Sequence, residues 1–142
     1  ELIADIIGRA EWVKTNRVNP VLQPMTKWDH LRKWLYDNGF EVVREIPCED
    51  GRFVYSVMQA VYIGARPDYE CDTAYLYIGR VSADSEDGKK YYLRQAERLE
   101  TAGQGMLRSA EKHSAGEGYI QASQMLKRIV SEYDKEDKND YS

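Results

Sequence analysis

The sequence has 142 residues, enough for one domain or one and a half small ones. Hydrophobic residues make up 42% and charged residues 31%, ordinary values for a globular chain, which exclude collagen-like, low-complexity and disordered classes. The net charge of −4 gives no bulk signal of nucleic-acid binding, and no apolar run approaches the roughly 18–20 residues that span a bilayer.

The chain opens at Glu1 with no initiator Met and no signal-peptide pattern, the expectation for a fragment or a processed product. Two cysteines, Cys48 and Cys71, are too few for a disulfide scaffold and, with no signal pattern, point to a reducing cytoplasm. Together with His30 and His113 they are scattered, without the close pair spacings of zinc sites, so no metal is expected.

Leu2, Ile3, Ile6, Ile7, Ala10 and Val13 recur at helical spacing and predict one helix over Glu1–Thr15, broken by Asn16–Arg17. Val18–Gln23 is a short apolar run ending at Pro24 and reads as a buried strand, with Pro20 near its start or at an edge. Thr26 is placed to cap the next helix, with Asp29 in the capping-box position. Trp28, Leu31, Leu35 and Trp34 form that helix's apolar side, and Gly39 suits a left-handed terminator. Phe40, Val42 and Ile46 alternate with more polar neighbours, Glu49-Asp50-Gly51 is a turn signal, and Arg52–Tyr62 reads as the returning strand of a hairpin. Helix, strand, helix, strand, strand is how the second half of a doubly wound sheet ends when it carries an antiparallel edge strand.

Ile63–Gly88 changes composition and reads as a connecting segment with a short ordered piece at Ala74–Ile78. Beyond it, Tyr92, Ala96, Leu99, Gly103, Met106 and Ala110, then Tyr119, Ala122, Leu126, Ile129 and Tyr133, form two heptad seams. They flank the Gly-containing stretch His113–Gly118, so the expected product is an antiparallel helical hairpin with a fraying end at Asp134–Ser142. The expected divisions are 1–62, 63–88 and 89–142.

Residues 89–128 carry eight bases and four acids, although the flanks are acidic. Lys90, Arg94 and Arg98 lie at i, i+4 and i+8 and share roughly one helix face. With Lys89, Arg108 and Lys112 they are candidates for contacting phosphates; the alternative is a solvated coiled-coil flank. Lys27, Arg32 and Lys33 add bases near the end of the first strand, the place where open α/β sheets bind ligands. There Gln23 can offer an amide to a base edge, or Gln23 and Pro24 simply shape the turn. His30 is a candidate neighbour of the substrate or a plain surface residue. Trp28 and Trp34 read as core. Gly103 and Gly105 do not follow a strand, so no dinucleotide or donor fingerprint is present, and Asn19-Pro20-Val21 is not the Asn-Pro-Pro-aromatic motif of amino-methylating enzymes.

Val21-Leu22-Gln23-Pro24, then His30-x-Arg32-x-Trp34-Leu35-Tyr36, then Glu49-Asp50-Gly51-Arg52, in that order and spacing, resemble the C-terminal half of the bacterial tRNA (adenine-N1)-methyltransferase family TrmK. The helical hairpin is similar to that family's C-terminal coiled coil, so the resemblance covers nearly the whole chain. It implies a fold that is the C-terminal half of a doubly wound, Rossmann-like methyltransferase sheet followed by the hairpin. It also implies methylation of N1 of an adenine at tRNA position 22, with S-adenosyl-L-methionine as donor and tRNA as partner. The donor-binding elements would precede Glu1, leaving no cofactor-binding or assignable catalytic residue in this chain. Gln23, Pro24, His30 and Arg32 match and would lie on the substrate side, with Lys27 and Lys33 beside them for RNA. The family often has Asn where this chain has Met25, and Asn19-Pro20 is an unusual opening for that strand. A sheet edge left open would invite self-association. The reading from a different class is a non-catalytic module whose hairpin docks a protein partner.

Overall fold

The computed structural model describes residues 2–15 and 18–140. The chain forms two compact units, Glu1–Val81 and Ser82–Ser142.

In the first unit, the apolar stripe at the N-terminus makes two short helices rather than one, α1 (Leu2–Arg9) and α2 (Glu11–Thr15). The ladder tightens at Ala10, whose N–H is shared between the carbonyls of Ile6 and Ile7, and whose own carbonyl accepts from Val13 three residues on. Ile7 and Val13 are buried, but Leu2 and Ile6 stay 72% and 58% exposed, so the stripe is wider than the surface it covers. The expected break at Asn16–Arg17 lies outside the described residues.

The first strand is shorter than its apolar run: β1 is Val21–Leu22, with Pro20 just before it lending its carbonyl to the Ala60 N–H. The next helix, α3 (Trp28–Asp37), is not capped by Thr26. Lys27 occupies the cap position in the left-handed region (φ 53°) and makes no side-chain cap bond, so Thr26 falls one residue too early for its hydroxyl to meet the first turn. Gly39 ends this connection with φ 81°, where a Cβ would press on the Tyr62 ring and the Gly64 backbone.

Strands β2 (Phe40–Asp50) and β3 (Phe53–Tyr62) form the expected hairpin, closed by Gly51-Arg52 with a positive φ at Gly51 alone, as a II′-type turn requires. All pairs are antiparallel and the strand order is β1-β3-β2. Phe40 and Val42 point into the core as their alternation predicts, but the register shifts between Val42 and Arg44. That bulge reverses the alternation: Ile46 turns outward and Glu45 turns inward. The core joins Ile7, Val13, Leu22, Leu31, Leu35 and Phe40 with Met58 and Ala60 of β3, and Trp34 stacks on Phe40 at 6.0 Å.

Glu45 is neutralised by Arg32 of α3, both side chains fully inaccessible. Arg32 Nε and Nη2 donate to the two carboxylate oxygens at 3.1 and 2.9 Å; Nη2 also donates to Ser56 Oγ and Nη1 to the Leu76 carbonyl at 2.8 Å. Leu76 belongs to α4 (Thr73–Ile78), which forms within the stretch read as a connection and is capped by Asp72 accepting from the Tyr75 N–H at 2.8 Å. Gly79 follows with φ 54°, and a Cβ there would run into the Glu45 carboxylate and the Arg32 guanidinium. Burial, and then its hydrogen bond with Tyr69, raise the Tyr75 hydroxyl above the ordinary tyrosine range and keep it neutral.

The second unit is an antiparallel pair, α5 (Glu86–Leu107) and α6 (His113–Asn139). Helix α5 starts earlier than the seam, capped by Ser85 accepting from the Gly88 N–H, with Glu86 and Asp87 favourably placed in its first turn. Tyr92, Ala96, Leu99 and Gly103 are buried as the heptads predict, whereas Ala110 lies past the end of α5. On α6 the buried positions are Gly116, Ala122, Ser123, Leu126 and Val130.

Two expectations fail here. His113–Gly118 is the start of α6 and not the loop, because Gly116 is needed where the helices cross: a Cβ on it would lie 2.9 Å from the Gly103 carbonyl oxygen, and one on Gly103 would lie 3.0 Å from that of Gly116. Asp134–Asn139 continues α6 as helix, with Asp134 and Asp137 holding Lys89 at 2.9 and 2.6 Å. Ser142 lies outside the described residues.

These contacts set two stability outcomes. Arg32→Ala strands a buried carboxylate and is expected to cost about 3–5 kcal/mol in urea unfolding, whereas replacing Arg32 and Glu45 together by Met costs much less; equal losses would contradict the paired reading. Gly116→Ala is expected to lower the thermal midpoint of the hairpin, while Gly105→Ala and Gly118→Ala, with open space around the new methyl, raise stability by up to about 1 kcal/mol each.

Candidate acceptor cleft and basic helix face

The chain leaving β1 turns at Gln23-Pro24 into a cleft of about 280 Å3 at the carboxyl end of that strand. Its walls come from α1 (Leu2, Ile3), the turn (Pro24, Met25) and α3 (Leu31), with Thr26 and Lys27 completing it. Pro24 is buried. Gln23 is exposed beside the cleft, and its Nε2 donates to the Met25 Sδ at 3.8 Å. His30 projects outward from the first turn of α3, with Nε2 3.7 Å from the Asp29 carboxylate. One turn on, Lys33 is exposed and paired with Asp37 at 2.6 Å.

Arg32 departs from its expected place on the substrate side. It has no accessible surface and spends its donors on Glu45, Ser56 and Leu76, so it acts by holding α3 in place. Pro24 and Lys27 line the cleft and Gln23 stands beside it through its contact with Met25; His30 and Lys33 are exposed on α3 and are not among its walls. Sequence reasoning missed the apolar lining by Leu2, Ile3 and Met25: Leu2 and Ile3 read as core and Met25 only as a departure from a family pattern.

In the helical unit, Lys90, Arg94 and Arg98 are exposed along one face of α5, as their spacing predicts. Arg94 and Arg98 flank a shallow depression shared with Glu97, Thr101 and Ala102. Arg108 and Lys112 are exposed at the connection between the helices. Lys89 does not join this face. Its ammonium is 8% exposed and sits among Asp137, Asp134 and Glu86; the Asp137 and Asp134 carboxylates raise its pKa above the usual lysine value. Lys89 therefore ties α5 to α6. The signal was available in the acids of the terminal segment, which read as a fraying end.

Among the described residues no group of His, Cys, Asp and Glu could hold a metal, and no helix is long and apolar enough to cross a membrane. Cys48 and Cys71 are both unpaired, and burial pushes the Cys71 thiol above its ordinary value, away from thiolate chemistry. Among the described residues the glycines with positive φ are Gly39, Gly51, Gly64 and Gly79, and none of these opens a helix directly after a strand, as a phosphate- or ribose-binding glycine turn would.

Comparison with known proteins places this geometry. Residues 1–130 match the family TrmK, tRNA (adenine(22)-N(1))-methyltransferase. A Streptococcus agalactiae protein of the NADB-Rossmann superfamily is similar at 25% identity and a TM-score of 0.66, with 88% of this chain and 54% of that one covered. A candidate tRNA (m1A22) methyltransferase from Streptococcus pneumoniae, solved in complex with S-adenosyl-L-methionine, gives 24%, 0.64, 88% and 54%. The Bacillus subtilis m1A22 tRNA methyltransferase TrmK gives 19%, 0.63, 91% and 58%. The search of curated proteins found no match. This chain spans a little over half the length of the solved structures it resembles, and its α/β unit is a partial methyltransferase fold of the Rossmann type. The chain belongs to the TrmK family of tRNA (adenine(22)-N(1))-methyltransferases.

Proposed function

We propose that this chain is the acceptor side of an S-adenosyl-L-methionine-dependent tRNA methyltransferase that modifies N1 of adenine 22, with the helical hairpin helping to hold the tRNA. The observation that carries this reading is the family match over residues 1–130, joined to a cleft at the carboxyl end of β1 lined by Pro24 and Lys27, with Gln23 beside it.

The donor would supply an electrophilic methyl group on a sulfonium and would be held by residues outside this chain. The acceptor N1 carries a lone pair and no proton at neutral pH, so nothing here has to act as a base. The work left to these residues is alignment: the reacting atoms must be held within about 3–3.5 Å of each other. A cleft with no paired acid and base suits that task. The adenine is stacked in folded tRNA and has to be exposed first. Lys27 and Lys33 on the first unit, and Lys90, Arg94, Arg98, Arg108 and Lys112 on the hairpin, would engage the backbone without reading sequence.

In this reading the exposed apolar side chains Ile6, Trp12, Val18 and Val21, and the outer edge of β1, are covered by the rest of a longer protein. Left bare, they favour self-association of the isolated chain. The unpaired Cys48 and Cys71 agree with action in the cytoplasm.

Two measurements test the proposal. Calorimetric titration of residues 1–142 with S-adenosyl-L-methionine is expected to give no heat of stoichiometric binding; a clear isotherm would contradict the missing donor site. Arg94→Ala with Arg98→Ala is expected to weaken tRNA binding and to flatten the plot of log affinity against log salt by about 1–2 units of slope. Unchanged binding, together with capture of tRNA by the first unit alone, would return that face to solvation.

A further inference from the structure

The cleft at the end of β1 has an unusual lining for the mouth of a site that handles RNA. Leu2, Ile3, Met25 and Leu31 give it an apolar side beside the polar Thr26 and Lys27, and two of them, Leu2 and Met25, are 72% and 62% exposed. An uncovered apolar surface at a ligand-binding edge calls for an apolar partner. Met25 is an unbranched, polarisable thioether, the side chain best able to settle on a flat aromatic face. Gln23 keeps its amide against the sulfur at 3.8 Å.

The second observation is Lys27. It is the one non-glycine residue among those described with a positive φ, 53°. A lysine in the left-handed region is held there at a cost of about 1–2 kcal/mol, and such strain concentrates at ligand clamps. Here it stations a cation at the rim of the apolar cleft, within the same turn as Met25.

A flat neutral ring with an anion one sugar away has the shape of a purine nucleotide. Two sources could supply the ring, the RNA or the adenosine of the methyl donor. The position of the charge selects between them: the RNA nucleotide brings a phosphate one sugar from its base, whereas the group next to the donor's ribose is a positive sulfonium and its carboxylate lies further out along the methionine chain.

We propose that Met25 packs on the face of the acceptor purine in this cleft, with Lys27 taking the adjoining phosphate, so that Met25 sets acceptor recognition in this protein. The inference rests on the function proposed above and goes beyond it in assigning the cleft and its residues. Methylation at N1 leaves the ring positively charged, and an apolar cleft with a lysine at its rim disfavours that product, so the same residues assist its release.

The test uses the full-length protein containing this chain, with tRNA and S-adenosyl-L-methionine, and follows both methylation and donor affinity. Wild type that fails to methylate adenine 22 overturns the proposed function itself. With methylation in hand, Met25→Ala is expected to lower kcat/KM for tRNA about three- to tenfold, through KM, with donor affinity unchanged; Met25→Leu falls between the two. Lys27→Gln raises KM for tRNA and reduces its salt dependence by about one phosphate contact. On a tRNA lacking the base at position 22, wild type and Met25→Ala bind equally. Weakened donor binding in Met25→Ala would assign the cleft to the donor's adenosine and overturn the inference, and unchanged kcat/KM for all three variants would overturn it as well.

Discussion

The buried Arg32–Glu45 pair is the constraint around which the α/β unit is assembled. Two opposite charges with no access to water are costly unless every remaining donor and acceptor is satisfied. Here Ser56 and the Leu76 carbonyl complete the guanidinium's partners, so one side chain joins α3, β2, β3 and α4. The geometry admits no slack. The bulge at Val42/Arg44 must turn Glu45 inward, and Gly79 must lack a Cβ for the pair to fit beneath it. Because α3 is fixed in this way, its first turn is fixed too, and with it the wall that Leu31 and Lys27 contribute to the cleft.

Much of this architecture is legible in the sequence. Helical spacing in the second half gives the hairpin, because Tyr92, Ala96, Leu99, Ala122 and Leu126 are core residues of a local, repetitive packing. The β2–β3 hairpin is legible because Gly51 and the alternating strands are likewise local signals. What was not legible depends on partners far away in sequence. Glu45 reads as a solvent-facing residue until the bulge is known, and no periodicity reports a bulge. Arg32 reads as a base on the substrate side until its partner 13 residues on is placed beside it. Lys89 reads as part of a basic face until Asp134 and Asp137, more than forty residues away, are brought to it by α6. Gly116 reads as a loop glycine because helix propensity disfavours it, yet the crossing with Gly103 demands it.

The candidate site divides the same way. Pro24 and Lys27 line the cleft at the strand end and Gln23 stands beside it, while His30 and Lys33 lie exposed on α3 outside its walls. The apolar character of the cleft emerges only when Leu2 and Ile3, twenty residues earlier in the chain, come alongside Met25. In the proposed reading this division has a chemical logic. Transfer of a methyl group to an unprotonated ring nitrogen asks for orientation and exclusion of water rather than for a base or a nucleophile, so the signature of the site is shape and not a motif. The basic face of α5 is then a separate contribution, long-ranged and salt-sensitive, to keeping the tRNA in place.

The acceptor-side assignment is tested most directly by photo-crosslinking. A tRNA carrying a photoreactive adenosine at position 22 is bound to the full-length protein, irradiated, and the attached peptide mapped by mass spectrometry. The account predicts attachment within residues 23–31, at the turn after β1 and the first turn of α3. Attachment confined to the hairpin or to parts of the protein outside this chain would contradict it.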